Sequence, residues 1–236
     1  MSKLLLLSNS TMPGSSFFSW PRPWVKKFLG RTPGEIVFIP FAAVSISFDA
    51  YFEKVSEAFE FIGYPMKALH QAGDKKALIR EADVIVVGGG NTFALLSKMY
   101  EEDMVAEVQS RVRAGARYIG WSAGANLACP TLKTTNDMPI AMPPTFDALK
   151  LVPFQINPHY HELKFQNQGG ETRRERLEEF LVLNPLAKVI GLPEGMLLER
   201  DGQKLTLHGE GTAKLYQSGK DPIPLRGETD LGFLLA

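Results

Sequence analysis

Apolar and polar positions alternate along the chain in a pattern typical of a mixed α/β protein. Short, nearly continuous apolar runs predict strands buried on both faces. In the first half these runs occupy residues 4–8, 35–40, 66–70, 83–87 and 116–119. Amphipathic segments predict helices at residues 49–63, 75–82, 92–99, 104–114 and 123–128. Because strands alternate with helices, the pattern favours a mostly parallel sheet with helices on both faces.

In the second half of the chain, the regular alternation of predicted strands and helices gives way to turn-rich segments and short strands. Residues 131–144 are rich in turn formers, and apolar runs at 154–159 and 189–195 each pass from strand to loop. A helix is predicted over residues 177–183. From Met196 onwards, short strands separated by glycine-containing turns predict a β-meander at the C-terminus. The sequence contains neither a linker nor a repeat, so we expect one domain over residues 1–236.

The sequence Gly120-Trp121-Ser122-Ala123-Gly124 fits the G-x-S-x-G pattern of a nucleophile elbow. It lies where a predicted strand meets a predicted helix. A sharp turn there forces the serine into a strained backbone conformation, and the flanking glycines let the turn close. The pattern indicates Ser122 as a nucleophile and the backbone N–H of Ala123 as an oxyanion donor. An ordinary tight turn that contains a serine would show the same five residues, so the pattern needs partners elsewhere.

A serine nucleophile needs a general base and a group that orients this base. The chain has four histidines. His159 is favoured because it ends an apolar run directly after Asn-Pro, where the proline stiffens the loop. His161 is the second candidate. His70 follows an early strand and is expected to be structural, and His208 is expected to be exposed in the C-terminal meander.

Two carboxylates compete for the third position. Glu194 follows a predicted strand at Pro193, and a desolvated carboxylate there needs a partner such as an imidazole. Asp137 would give the chain order Ser, Asp, His that is typical of α/β-hydrolases. It also fits a turn residue that caps its own loop. Spacing alone leaves both carboxylates open.

Polar loops follow four of the predicted strands, at residues 8–10, 40–43, 88–91 and 120–124. In open parallel sheets, ligands bind outside the carboxyl ends of the strands. We therefore expect these loops to converge on one edge of the sheet. The glycines at 88–90 would let main-chain N–H groups approach a substrate without a Cβ in the way. The alternative, a phosphate loop, is weak because no G-K-[ST] follows.

Composition narrows the class of protein. Lys and Arg total 26, as do Asp and Glu, so there is no basic excess that would favour nucleic acid or an anionic membrane as a partner. The N-terminal apolar run ends at Ser8, too short for a signal peptide or a membrane span. The one cysteine, Cys129, excludes an internal disulfide and a multi-cysteine metal site. It suits a reducing cytoplasm and, inside the helix after the elbow, is expected to be a core residue.

Six motifs in order resemble those of the peptidase E family of α-aspartyl dipeptidases. They are Ser-Asn-Ser-Thr at residues 8–11, Val-Gly-Gly-Gly-Asn-Thr at 87–92, Ile-Gly-Trp-Ser-Ala-Gly-Ala-Asn at 119–126, Thr-Asn-Asp-Met-Pro at 135–139, Ile-Asn-Pro-His at 156–159 and Gly-Leu-Pro-Glu-Gly at 191–195. The resemblance implies a flavodoxin-like three-layer sandwich within the class I glutamine amidotransferase-like superfamily. It also implies a cytoplasmic, cofactor-free serine peptidase that cleaves dipeptides with an N-terminal aspartate.

The resemblance also assigns roles in catalysis. It implies Ser122 as nucleophile, His159 as general base and Glu194 as the acid of the triad. Asp137 matches a second carboxylate of the family, either catalytic or facing the substrate.

Further residues are expected to hold the substrate. The oxyanion would be bound by the N–H groups of Gly89 and Ala123. The resemblance favours Arg173 as the cation for an aspartyl side chain, although a surface charge cluster at a helix start would also explain it. Asp137 is a candidate for the substrate ammonium, and Asn91 for a further substrate contact. No metal is expected.

Other functions remain open at the level of sequence. A cyanophycinase-like enzyme that cuts β-linked aspartyl–arginine polymer would share the serine elbow. An amidotransferase-like binding protein without activity is a second alternative, and the intact Ser, His and Glu set argues against it. An esterase of the α/β-hydrolase type would need a histidine near the C-terminus, which His208 fits poorly. We expect a small peptide as substrate and a monomer or a homodimer.

Overall fold

The computed structural model describes residues 2–31, 34–162 and 169–235. The helices in these ranges are α1 (Arg22–Leu29), α2 (Phe48–Phe59), α3 (Lys75–Glu81), α4 (Thr92–Glu101), α5 (Val105–Arg113), α6 (Ala123–Leu127) and α7 (Arg173–Leu183). The strands are β1 (Lys3–Leu7), β2 (Ile36–Ile39), β3 (Met66–Ala68), β4 (Val84–Val87), β5 (Arg117–Trp121), β6 (Gln155–Pro158), β7 (Lys188–Leu192), β8 (Leu197–Asp201), β9 (Lys204–His208), β10 (Thr212–Gln217) and β11 (Ile223–Arg226).

The main sheet has seven strands in the order β3-β2-β4-β5-β1-β8-β9. The first five are parallel to one another, whereas β8 and β9 are antiparallel additions at one edge. The predicted α/β fold with a mostly parallel sheet is confirmed.

Both faces of this sheet are buried. Along β1, Leu4 and Leu6 belong to one hydrophobic core, and Leu5 and Leu7 to the other, as the two-residue period of a strand requires. Helices α1 and α2 cover one face, and helices α3 to α6 contribute to the core on the other. This arrangement has helices on both faces, which explains why the strands are continuous apolar runs.

A second sheet of four strands, in the order β11-β10-β7-β6, joins the core that contains α3 to α6. Helix α7 packs on its other side with Tyr160 and Tyr216. Strands β6 and β7 are parallel, and Pro158 is paired with Leu192. The residues that follow these two positions therefore leave the sheet at the same edge.

The structure departs from the sequence-based expectations in several places. The predicted C-terminal meander is divided, because β8 and β9 extend the main sheet while β10 and β11 extend the second. The expectation that His208 is exposed is wrong: it is buried, with its two ring nitrogens near Glu199 and Glu228. Helix α1 was not predicted, although its early Pro23 is typical of a first helical turn.

Helix α7 begins four residues earlier than predicted. A capping box explains this start: the hydroxyl of Thr172 accepts from the backbone N–H of Glu175, whose carboxylate accepts from the N–H of Thr172. The cap makes Arg173 the first residue of the helix.

Candidate active site

Ser122 occupies the turn between β5 and α6 with φ 52° and ψ −112°. Positive φ is rare for a residue with a side chain and indicates local strain. A Cβ at Gly120 would lie 2.5 Å from the carbonyl oxygen of Gly124, and one at Gly124 would lie 2.3 Å from that of Val87. The predicted elbow geometry is confirmed, since only glycine fits at either position.

The side chains of Ser122, His159 and Glu194 form a hydrogen-bonded row. Nε2 of His159 lies 2.9 Å from Oγ of Ser122, and Nδ1 lies 2.7 Å from Oε1 of Glu194. Of the two carboxylates that the sequence left open, Glu194 is the one that contacts the imidazole. This arrangement can move a proton from the serine hydroxyl to an imidazole whose other nitrogen is fixed.

The row joins the two sheets. Ser122 follows β5 of the main sheet, whereas His159 and Glu194 follow β6 and β7 of the second. His159 also has positive φ, at 53°. The side chains of His159 and Glu194 are about two-fifths exposed, so a small substrate can reach them from solvent.

Asp137 lies at the start of α4 rather than at the imidazole. Its Oδ2 accepts from the backbone N–H of Thr92 at 2.7 Å and from the hydroxyl of the same residue. A carboxylate at this position satisfies an end group of the helix and suits its positive end. Within the described residues, Oδ1 of Asp137 has no hydrogen-bond partner.

Two main-chain N–H groups beside Ser122 are available to a ligand. Within the described part of the chain, the N–H groups of Gly89 and Ala123 donate to no protein acceptor. A Cβ at Gly89 would lie 3.1 Å from Cβ of Ser122, so the glycine backbone is close to this serine. The phenol of Tyr51 donates to the carbonyl of Gly89 at 3.0 Å and fixes this loop.

A cavity of about 410 Å³ opens onto the row. The residues that line it are Asn9, Ser10, Thr11, Phe17, Ala42, Ala43, Val44, Ser45, Ile46, Tyr51, Lys54, Gly89, Gly90, Asn91, Trp121, Ser122, His159 and Glu194. The four polar loops expected to converge all contribute, so that prediction is confirmed. Lys54 and Phe17 were not singled out from the sequence; the ammonium of Lys54 lies 4.5 Å from the centre of the Phe17 ring.

Two predicted substrate-binding residues have different surroundings. Asn91 lines the cavity and caps α4: its Oδ1 accepts from Ala94 N–H, and its Nδ2 donates to the carbonyl of Met138. Arg173 is not among the described residues that line the cavity.

Arg173 is partly buried. Burial lowers the pKa of its guanidinium, the charge of Arg176 lowers it further, and the carboxylate of Asp137 opposes both. Arg173 and Asp137 therefore lie near enough to interact. Within the described chain, Arg173 has no carboxylate within ion-pair distance.

Three further features concern the single cysteine, metal-binding groups and membrane-spanning helices. Cys129 is fully buried, as predicted, and burial raises the pKa of its thiol to about 12. The described residues contain no group of three or more His, Cys, Asp or Glu arranged to hold a metal ion. They also contain no helix that is both long and apolar enough to cross a membrane.

The model of peptidase family S51 matches residues 4–208 of this sequence. The chain belongs to peptidase family S51. Its relatives include Peptidase E of Nostoc sp., 48% identical over 233 residues, which cover 99% of this chain and 96% of the relative. Peptidase E of Salmonella typhimurium is 45% identical over 224 residues, 94% of this chain and 97% of the relative. This S51 protein is therefore a peptidase, and the predicted family is confirmed.

Solved structures agree on the fold of this S51 chain. A putative peptidase E from Listeria monocytogenes aligns with a TM-score of 0.65 at 23% identity, over 89% of this chain and 100% of that one. A peptidase from an acI-B1 actinobacterium aligns with a TM-score of 0.71 at 15% identity, over 98% of this chain and 96% of that one.

Proposed function

We propose that this chain is a serine dipeptidase that hydrolyses dipeptides with an N-terminal aspartate at the α-aspartyl bond. The observation that carries the proposal is the row in which His159 lies 2.9 Å from Ser122 and 2.7 Å from Glu194. Family membership supports peptide hydrolysis, and the small cavity supports a short substrate.

In the proposed reaction, Oγ of Ser122 attacks the scissile carbonyl carbon while Nε2 of His159 takes the hydroxyl proton. Glu194 holds the Nδ1–H and stabilises the imidazolium that forms. The imidazolium then gives its proton to the leaving nitrogen, the C–N bond breaks, and an aspartyl ester of Ser122 remains. Water attacks this ester with His159 again as base, which releases aspartate and restores the hydroxyl.

The N–H groups of Gly89 and Ala123 are the proposed oxyanion donors. Both lie beside the nucleophile and lack a protein acceptor within the described chain. Each such donor typically contributes about 3 kcal/mol to transition-state stabilisation.

Arg173 is the proposed cation for the aspartyl side chain, because a guanidinium can hold a carboxylate through two parallel hydrogen bonds. Asp137 is the proposed acceptor for the substrate ammonium through its Oδ1, while Oδ2 remains on Thr92. Asn91 retains one Nδ2 hydrogen for a substrate carbonyl once its bond to Met138 is counted.

The proposal also covers the cellular location, the partners, the domain organisation and the oligomeric state of the protein. The single cysteine supports a cytoplasmic location, and the balanced charge supports the lack of a nucleic-acid or membrane partner. The core that both sheets share supports one domain. We expect a monomer or a homodimer.

A dipeptide panel tests the proposal. The first residue is varied among Asp, Glu, Asn and isoaspartate, with the β-aspartyl–arginine polymer as a further substrate. We expect cleavage of Asp-Leu in preference to the others, labelling of the wild type by a fluorophosphonate, and a loss of more than about 10⁴-fold in kcat in Ser122→Ala. Release of arginine from the polymer without cleavage of Asp-Leu would favour a cyanophycinase-like enzyme. Absence of labelling and of all hydrolysis would favour a binding protein.

A further inference from the structure

Three consecutive residues at the end of β1 contact the backbone of every segment in the catalytic row. The carbonyl of Leu7 accepts from the N–H of Ser122 at 3.1 Å. The hydroxyl of Ser8 accepts from the N–H of His159 at 2.8 Å. Oδ1 of Asn9 accepts from the N–H of Gly195, next to the acid, at 2.9 Å.

Ser8 also reaches the acid. Its hydroxyl donates to the carbonyl of Leu192 at 2.8 Å, and its N–H donates to the carbonyl of Met196 at 3.1 Å. Leu192 and Met196 lie two residues before and two residues after Glu194. The segment that carries the acid is therefore held on both sides by one residue of the main sheet.

These contacts lie where the two sheets must be kept in register. The nucleophile belongs to the main sheet, whereas the base and the acid belong to the second, so any shift between the sheets would alter the distance from Nε2 to Oγ. His159 is held at positive φ, a conformation that persists only where its surroundings impose it. The Ser8 hydroxyl accepts a hydrogen bond from the backbone N–H of His159.

Burial makes the hydroxyl hard to replace. Ser8 is fully buried and Asn9 is 3% exposed. Without the hydroxyl, the N–H of His159 would lose this protein partner, whereas the carbonyl of Leu192 would still accept from the N–H of Tyr160 at 3.1 Å. An unmade buried hydrogen bond of this kind is unfavourable.

We propose that Ser8 and Asn9 are positioning residues of the active site, which fix the general base and the acid of the second sheet to the nucleophile of the main sheet. The inference rests on the proposed serine mechanism. Neither residue donates or accepts a proton in the reaction; they set the distances over which His159 does so.

Ser8→Ala tests the inference, with Thr134→Val as its matched control. Thr134 is also buried, and its hydroxyl donates to the carbonyl of Ile156 on β6, but no hydrogen bond joins this hydroxyl to His159. For Ser8→Ala we expect kcat for Asp-Leu to fall between about tenfold and hundredfold with KM within twofold, because small misplacements of catalytic groups have effects of this size. The control should lose stability without this loss of kcat. Equal kcat in both variants would overturn the proposal.

A second readout does not depend on turnover. We expect the proton between His159 and Glu194, whose Nδ1 and Oε1 lie 2.7 Å apart, to give a far-downfield NMR resonance in the wild type. This resonance should weaken or move in Ser8→Ala and persist in Thr134→Val. An unchanged resonance in Ser8→Ala would overturn the inference, even if the protein proved to have another substrate. If the wild type cleaves no dipeptide but its resonance responds as expected, the proposed function fails and the positioning role stands.

Asn9 provides a second pair of variants in case Ser8→Ala does not fold. Both variants lose the Nδ2 donor that binds the carbonyl of Thr11, so this loss is common to the pair. They differ in that Asn9→Asp keeps an oxygen that can accept from the N–H of Gly195, whereas Asn9→Leu removes it. We expect Asn9→Asp to retain most of the kcat that Asn9→Leu loses. Equal losses in the two variants would contradict the role of this bond.

Discussion

Oε1 of Glu194 lies 2.7 Å from Nδ1 of His159, whereas the carboxylate of Asp137 is bound to Thr92 at the start of α4. The two acids that the sequence left in competition therefore have different contacts. One orients an imidazole, and the other caps a helix beside the proposed substrate site.

This difference predicts opposite kinetic effects. We expect Glu194→Gln to lower kcat by about hundredfold or more, because a neutral amide no longer stabilises the imidazolium or its tautomer. We expect Asp137→Asn to leave kcat within tenfold and to raise KM, since the proposed ammonium contact loses its charge while an amide oxygen can still accept from Thr92. Steady-state kinetics with Asp-Leu measures both. Near-normal turnover in Glu194→Gln with an inactive Asp137→Asn would reassign the acid.

Arg173 is predicted to set the preference for aspartate. Replacing it by Met should lower kcat/KM for Asp-Leu by about 10- to 100-fold, the equivalent of about one hydrogen bond to a charged group, and should hardly affect Asn-Leu. Arg174→Met is the matched control, because Arg174 is an exposed neighbour that pairs with Glu178. If the ratio of Asp-Leu to Asn-Leu cleavage is the same in both variants, Arg173 does not bind the side chain.

Gly124→Ala is predicted to disturb the elbow. The added Cβ would lie 2.3 Å from the carbonyl oxygen of Val87, so the turn must open. We expect a loss of about 1–3 kcal/mol in the free energy of unfolding, typical of overpacking, together with a large loss of kcat. Gly73→Ala is the control, since a Cβ there meets nothing within 4 Å. Urea denaturation of both variants measures the difference, and equal stabilities would argue against strain in the turn.

Cys129 is predicted to stay unreactive while the protein is folded. Burial raises the pKa of its thiol to about 12, so the reactive thiolate is almost absent at pH 8. Iodoacetamide should modify the unfolded chain and leave the native chain and its activity unchanged, as mass spectrometry can show. Modification of native protein would contradict the burial.

The raised pKa of the Cys129 thiol predicts that the stability of the folded protein depends on pH. The unfolded thiol ionises from about pH 9, whereas the folded thiol keeps its proton to about pH 12. The folded state then binds more protons, so this group lowers stability as the pH rises through that window. Cys129→Ala should show a smaller decline in urea midpoint between pH 8 and pH 10. An identical decline in both proteins would exclude the thiol as a cause.

His208 is predicted to contribute to stability but not to catalysis. Its ring nitrogens lie 3.0 Å from Glu199 and 2.8 Å from Glu228 at the edge of the main sheet. We expect His208→Leu to lower the free energy of unfolding by about 1–3 kcal/mol, because Glu199 loses this partner, with unchanged kcat. Glu228→Gln should have a smaller effect, since Glu228 is largely exposed. An equal loss in both variants would place the stabilisation in the exposed pair.

Much of the fold was predictable from the sequence because its signals are local. Continuous apolar runs such as residues 83–87 identify strands buried on both faces, and amphipathic segments identify the helices between them. The C-terminal strands show where this reasoning stops. Their turns predict hairpins, but the sequence of these strands does not indicate that β8 pairs with β1 or that β10 pairs with β7.

The elbow was predictable from sequence alone, because its pattern lies within five residues and the space beside Gly120 is limited by Gly124 of the same turn. The space beside Gly124 is instead limited by Val87 of the neighbouring strand β4, which is a tertiary contact. Tertiary structure decided which of Glu194 and Asp137 contacts the imidazole. It also decided the burial of His208 and the contacts of Ser8. Each depends on pairing between segments far apart in the chain: Ser8 and His159 are 151 residues apart, yet share a hydrogen bond. Such contacts depend on how the two sheets pack against each other. The spacing of neighbouring residues along the chain does not predict this packing.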